Sequence, residues 1–349
     1  MRRGVEQKVL ATVAIIIIVV AIAAGVYLMG GQEKGGGGEQ AQPYKVIILT
    51  GSTTGTYYPF GQTYAEYLNK YSNGKINARA LEGRASVANI KALCEENKGN
   101  AALAQNDIAY YAYHGSTIDA FKGKPEKCIR AIGVLYPETI QIVVLKDSGI
   151  NTIYDLAGKK VAVGAEGSGT YWNARQILEA AGIWDKIIPE YKSFKEVVED
   201  LKLRNIDAAF YTAGIPTSSI EQLAAETDIK LVEVPDEIYQ ALKQKYPFYI
   251  QQIVPAGTYE DLDQDVKTVA VMSMLIVKAD VPKDIAYLMT KILYEHAQEI
   301  ANEVGKTSVK YVSLDHALEG LSIPLHPGAY QYYEEKGLQV PDEFKPPSS

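Results

Sequence analysis

Residues 45–71 read KVIILTGSTTGTYYPFGQTYAEYLNKY. Val46 to Leu49 form a short, continuous apolar run rich in β-branched residues, as expected of a strand buried on both faces inside a parallel sheet. Gly51, Ser52, Thr53, Thr54, Gly55 and Thr56 follow, and residues this small let the backbone turn sharply and leave amide groups uncovered. From Thr56 onward Tyr57, Phe60, Tyr64, Tyr67, Leu68 and Tyr71 recur at three- and four-residue steps, so one stripe of a helix faces the sheet. Pro59 fits its first turn. The free N–H groups and the positive end of that helix point at the loop, which favours an anion there. The stretch lacks the Gly-Lys-Ser/Thr ending of a nucleotide loop and the glycine spacing of a dinucleotide fingerprint. Alone, it equally describes an ordinary strand-to-helix turn.

A second copy changes that balance. Lys160 to Val163 read as a strand, Gly164 to Gly169 are small apart from Glu166, and Thr170 to Ala181 show helical spacing in Trp172, Ile177, Leu178 and Ala181 before Gly182 ends the helix. A further small turn, Thr212-Ala213-Gly214, follows a strand at Ala208 to Tyr211. Tyr57 and Tyr171 each stand at the start of a helix beside a small-residue loop, where their hydroxyls can line a cleft. Between these units strand and helix alternate: strands at Ile76 to Leu81, Ala101 to Ala104 and Ile187 to Tyr191, helices at Ala85 to Glu96, Asp107 to Tyr113 and Phe194 to Leu203. Ile129 to Leu135 and Thr139 to Leu145 read as two extended runs separated by Tyr136-Pro137-Glu138, and Val269 to Val277 as a long apolar strand. Helices are expected at Lys283 to Glu303 and Ala329 to Lys336. Such alternation means parallel sheet covered on both faces, with ligands at the carboxyl ends of the strands.

A chain of 349 residues, 47% hydrophobic and 22% charged, is globular and long enough for two domains. Its net charge of -7 and the lack of a basic cluster give no reason to expect nucleic acid. Arg2, Arg3 and Lys8 precede an uncharged run from Val9 to Met29, long enough at ~1.5 Å per residue to cross a bilayer core of about 30 Å. Residues 1–30 therefore read as an N-terminal transmembrane helix, its positive flank cytoplasmic and the body outside. A cleaved signal is the alternative, with Ala21-Ile22-Ala23 as the cleavage-like triplet. Residues 31–43, GQEKGGGGEQAQP, form a flexible linker.

Little in the sequence nominates catalysis. The four histidines, 114, 296, 316 and 326, are scattered without metal-binding spacing. Ser168 lacks the glycine two positions earlier that a nucleophile elbow needs. Asp261, Asp263 and Asp265 read as a solvated loop. No cofactor is implied. Cys94 and Cys128 are the only cysteines and, outside the cytoplasm, either pair or remain two buried thiols.

Six segments in order carry a family resemblance: LTGSTTGTYYP from Leu49, SVAN from Ser86, AQNDI from Ala104, DLAGKKVAVGAEGSGT from Asp155, YTAGIP from Tyr211 and PLHPGA from Pro324. Together they resemble the TAXI-type solute receptors of TRAP transporters. The resemblance implies an α/β type II periplasmic-binding-protein fold, in which two α/β lobes joined by crossing hinge strands close over a small organic acid or amino acid and deliver it to a membrane permease. It implies no catalysis. The first loop of the family falls on Gly51, Thr54, Gly55, Tyr57 and Tyr58, the second on Ser86 and Asn89, and the second-lobe loop on Gly167, Ser168, Gly169 and Thr170. Gln105 belongs to the AQNDI segment and Ala213 and Gly214 to YTAGIP. Ser52 and Thr53 stand where relatives carry more glycine, and Arg84 where a small residue is usual. The Arg84 guanidinium suits a carboxylate, though an exposed arginine reads the same way.

The expected division is residues 44–137 with 278–349 in lobe I and 138–277, hinge strands included, in lobe II. The expected ligand is a small carboxylate, a C4/C5 dicarboxylate or a glutamate-like amino acid, held by the hydroxyls of Thr54, Thr56, Ser86, Ser168 and Thr170 and by loop N–H groups. The competing readings are an ABC-type receptor of the same fold and an extracytoplasmic enzyme, which would carry a side chain of strongly shifted pKa in the cleft. A sensor ectodomain is a weaker third, since only eight residues precede the span.

Overall fold

The computed structural model describes residues 42–260 and 262–347. The expected membrane helix and nearly all of the linker lie outside the described residues, as does Asp261. Among the described residues no helix is long and apolar enough to cross a membrane.

The opening unit forms as its pattern requires. Strand β1 spans Tyr44–Leu49 and helix α1 Tyr57–Tyr71, with Phe60, Tyr64, Ala65 and Leu68 buried along one stripe. Burying a side chain such as Phe60 or Leu68 contributes ~1.5 to 3 kcal/mol. Then follow β2 (Ile76–Leu81), α2 (Ser86–Cys94), β3 (Ala101–Gln105) and α3 (Asn106–His114). β1 pairs in parallel with β2 on one side and β3 on the other.

β4 runs unbroken from Ile129 to Leu145. The sequence reading divided it at Tyr136-Pro137-Glu138. The missing N–H of Pro137 is accommodated because its partner strand β10 (Val266–Lys278) changes register between Met272 and Met274, next to the Pro137 pair. A proline in a strand is tolerated at such an irregularity. β10 is antiparallel to β3 and to β4, with Ala270 opposite Thr139 and Lys278 opposite Ile129.

Beyond Thr139, β4 pairs antiparallel with β7 (Ala208–Ala213) and with β8 (Ile229–Val232), while the start of β10 pairs with β9 (Ile250–Val254). β7 lies parallel to β5 (Lys160–Ala162), which carries β6 (Ile188–Glu190) at the edge. The order is β2-β1-β3-β10-β4-β7-β5-β6, so the two longest strands occupy the middle and each changes partners along its length. Helices α4 (Gly169–Ala180), α5 (Phe194–Lys202), α6 (Ser218–Glu226) and α7 (Asp236–Lys245) belong to the β5–β9 end.

After β10 the chain returns to the α1 end. The expected helix over 283–303 is two helices, α8 (Lys283–Glu295) and α9 (Ala297–Val304), because His296 leaves helical geometry at φ −115°, ψ 15° and serves both as end and start. The Tyr64 hydroxyl donates to the Met289 carbonyl at 2.8 Å and that of Tyr67 to Glu303 at 2.7 Å, fastening α1 to this pair. The last helix, α10, spans Pro327–Glu335. A disulfide joins Cys94, at the end of α2, to Cys128, just before β4, with Cα atoms 5.8 Å apart.

Candidate functional site

Four helices begin at one cavity of about 440 Å³. The β1–α1 loop supplies Gly51, Ser52, Gly55, Thr56 and Tyr57, and the β2–α2 turn Glu82, Gly83, Arg84, Ala85 and Ser86. From the other end of the sheet come Ala165, Ser168, Gly169 and Thr170 before and in α4, Ser193 to Lys195 at the start of α5, and Thr212 and Ala213 at the end of β7. Gln105 of β3 and Glu138 of β4 complete the wall. The volume suits a small organic molecule. The N-terminal ends of α1, α2, α4 and α5 each add partial positive charge there, with α4 and α5 carrying side-chain caps.

The helix ends differ in how their N–H groups are used, and α5 is closed by a capping box between Ser193 and Glu196. Thr56 makes no side-chain cap for α1; its hydroxyl donates instead to the Gly214 carbonyl at 3.2 Å. Ser168 caps α4 by accepting from the Tyr171 N–H at 3.2 Å, and its own hydroxyl donates to the Ala165 carbonyl at 2.7 Å. Ala85, preceding α2, is held at φ +65°, ψ −161°. That region costs a residue with a side chain ~1 to 3 kcal/mol, and such strain gathers at binding sites.

Of the residues singled out in the sequence, Gly51, Ser52, Gly55, Thr56, Tyr57, Arg84, Ser86, Gln105, Ser168, Gly169, Thr170 and Ala213 line this cavity. Arg84 is exposed, on its rim. Six others lie off the wall: Tyr58, whose hydroxyl accepts from the Gln62 side-chain amide at 2.7 Å, and five more. Asn89 is buried behind the loop, donating to the carbonyls of Thr50 at 2.8 Å and Leu103 at 2.9 Å and so fixing the ends of β1 and β3. Tyr171 turns into an aromatic group with Trp172, Trp184 and Tyr191. Thr54 pairs its hydroxyl with that of Ser52 at 3.1 Å. Gly167 offers its carbonyl to the Ala88 N–H at 3.1 Å, and Gly214 lies under Ser308 and Thr56.

Glu138 and Thr212 were not singled out by sequence. Glu138 is 2% exposed and accepts a hydrogen bond from the Tyr57 hydroxyl. Burial raises its carboxyl to about 8 against the lowering effect of Tyr57, Gln105 and Ser273, and Asp107 nearby raises it further. The Tyr57 hydroxyl is itself pushed well above its usual value, by burial first and then by Glu138, so it stays protonated. The Thr212 hydroxyl and the Gln105 side-chain oxygen are buried without a partner among the described residues.

Direct bonds join the two ends of the sheet beside the cavity. Besides Thr56 to Gly214, the Ala88 N–H donates to Gly167, and the Ser308 N–H to the Ile215 carbonyl at 3.0 Å. Two glycines permit this approach. A Cβ on Gly169 would fall 1.8 Å from the Gln105 oxygen, and one on Gly214 would fall 2.3 Å from the Ser308 hydroxyl.

Residues 48–337 match the model of the NMT1-like family, and the chain belongs to that family. Its α/β architecture is that of the periplasmic binding proteins: the periplasmic binding protein BugD is 12% identical, with a TM-score of 0.53 over 84% of this chain and 98% of BugD. A protein from Bordetella bronchiseptica RB50 is 16% identical, with a TM-score of 0.50 over 86% of this chain and 91% of the other. At these identities the likeness is one of fold.

Proposed function

We propose that this chain is an extracytoplasmic solute receptor that captures a small organic acid or amino acid in the cavity and delivers it to a membrane permease of the TRAP type. The observation that carries this reading is the cavity wall itself. Loops from both ends of the sheet converge there, with four helix N-termini and the hydroxyls of Thr56, Ser86, Ser168, Thr170 and Thr212. Helix N-termini favour negative charge by ~0.3 to 1 kcal/mol each when exposed and by more when partly buried.

In this reading residues 44–137 and 278–349 are one lobe, 138–277 the other, and β4 and β10 the hinge. A solute touching both lobes binds the closed form better than the open one, without which closure has no driving force. The bonds between the two ends of the sheet support a closed arrangement of that kind. Residues 1–30 hold the receptor at the membrane, with 31–43 as tether. An ABC-type permease is the competing partner.

The enzyme reading draws support from one feature, the raised carboxyl of Glu138. What weighs against it is that the hydroxyl bonded to Glu138, that of Tyr57, is held protonated and so is not an activated nucleophile. A thermal-shift screen of the full chain with C4/C5 dicarboxylates, amino acids and neutral sugars tests the proposal. An acid or amino acid raises the melting temperature and is recovered unchanged. Conversion of that compound moves the chain to the enzyme class, and stabilisation by sugars alone removes the electrostatic argument.

A further inference from the structure

The wall of the cavity has two chemistries. The helix N-termini and loop amides offer donors and partial positive charge, whereas Glu138 and Gln105 offer acceptors on the sheet side. Gln105 is 2% exposed; its backbone N–H donates to the Ser86 hydroxyl at 3.1 Å, which fixes the residue. Its amide nitrogen lies on the Glu138 side, where it helps to hold that carboxylate. The amide oxygen is therefore turned away from Glu138, over Gly169, and it has no hydrogen-bond partner among the described residues. A buried acceptor left unpaired costs ~1 to 3 kcal/mol, so its partner is to be sought in the solute.

Building on the receptor reading, we infer that Glu138 and Gln105 together receive the ammonium group of the captured solute, so that the site selects a zwitterion over the same acid without its nitrogen. An ammonium group has three donors and no acceptor. It matches the two acceptors of the sheet-side wall, the Glu138 carboxylate and the Gln105 amide oxygen, while the carboxylate of the same molecule takes the helix ends opposite. A dicarboxylate would bring a second negative charge against Glu138.

Capture then moves a proton. The groups facing Glu138 are Tyr57 of α1, Gln105 of β3, Asp107 of α3, its strand neighbour Tyr136 and Ser273 of β10. None of them brings a positive charge, and burial keeps the carboxyl protonated at neutral pH. When the ammonium arrives, the Glu138 O–H bond breaks, the proton leaves to solvent, and the carboxylate that remains pairs with the cation. Binding at pH 7 thus releases up to one proton, and affinity rises with pH until Glu138 is ionised in the empty protein.

Calorimetry of the full chain with matched solutes tests this: L-glutamate, L-glutamine and L-leucine, each against its 2-hydroxy analogue. In at least one pair the amino acid binds about tenfold tighter or more, as a hydrogen bond to a charged group implies. The binding heat varies with buffer ionisation as proton release requires. Glu138→Gln abolishes both effects while hydroxy acids still bind. The proton count needs only the wild-type chain, so it stands even where the variant folds poorly. Equal affinity within every pair, or proton uptake on binding, overturns the inference and leaves the receptor reading in place. No binding by any member overturns both.

Discussion

The Asn173 side-chain amide donates to the Asp107 carboxylate at 3.0 Å, a buried bond that ties α4 to α3. Burial raises the Asp107 carboxyl to about 7, although the Ile108 N–H and Asn173 both act to lower it. Together with Glu138 at about 8, the folded protein holds between one and two protons at neutral pH that the unfolded chain has lost. Stability from such groups is greatest below their unfolded values and declines as pH rises through the folded ones. Between pH 6.5 and 8.5 the loss is on the order of 2 to 3 kcal/mol. Burial lowers His326, which acts in the opposite direction, but mainly below pH 6.5. Thermal unfolding without solute is therefore expected to move to lower temperature across that window, and Asp107→Asn with Glu138→Gln flattens the profile. A melting temperature that climbs through the window contradicts the assignment.

Gly169→Val places a branched side chain where the Gln105 oxygen lies, 1.8 Å from the new Cβ. The neighbour that must yield is the end of a side chain and not backbone, so the protein folds with a stability loss of about 1 to 3 kcal/mol. The displaced carboxamide leaves Glu138 without one of its donors. Solute affinity falls by at least about tenfold, since a hydrogen bond to a charged group is lost. Native-like unfolding with undiminished affinity would show that Gln105 does not contact the solute.

The β1–α1 and β5–α4 loops were legible because small residues precede helical periodicity in both, and the structure brings them to one cavity. Glu138 was hidden by its neighbour: Pro137 reads as a strand break, and only the change of register in β10 lets the carboxylate stay inside a continuous strand. The one available signal was an acidic residue in a run from Ile129 to Leu145 whose other charged residue, Arg130, stands at its start. Thr212 and the Ser193–Lys195 segment gave none, since their place on the wall depends on how the β5–β9 end meets the first loops. Asn89 and Tyr171 show the converse limit. A polar or aromatic residue next to a binding loop can serve the scaffold, as Asn89 does by closing strand ends and Tyr171 by packing with tryptophans.

Ser168 does two jobs, capping α4 and facing the cavity. Ser168→Ala is expected to cost ~0.5 to 2 kcal/mol of stability through the lost cap, with Ser168→Asn restoring most of it. Chemical denaturation of the three proteins checks this. Equal midpoints for wild type and Ser168→Ala would show that the cap contributes nothing.

The Cys94–Cys128 bridge closes a loop of 34 residues between α2 and β4. On the chain-entropy model it contributes about 3 to 4 kcal/mol. Urea unfolding of the oxidised chain against a Cys94→Ser/Cys128→Ser variant should differ by that order, while solute binding at 25 °C is retained because neither sulfur lines the cavity. Coincident unfolding curves would contradict the stabilising role.

The central claim is that one solute sits between the α1 and α4 loops, and calorimetric titration of the wild-type chain and of Ser168→Trp with the best solute from the thermal-shift screen tests it most directly. One solute is expected to bind per wild-type chain and none to the variant, whose far-ultraviolet circular dichroism stays native. Binding of the same solute by Ser168→Trp with wild-type affinity would place the site elsewhere and contradict it.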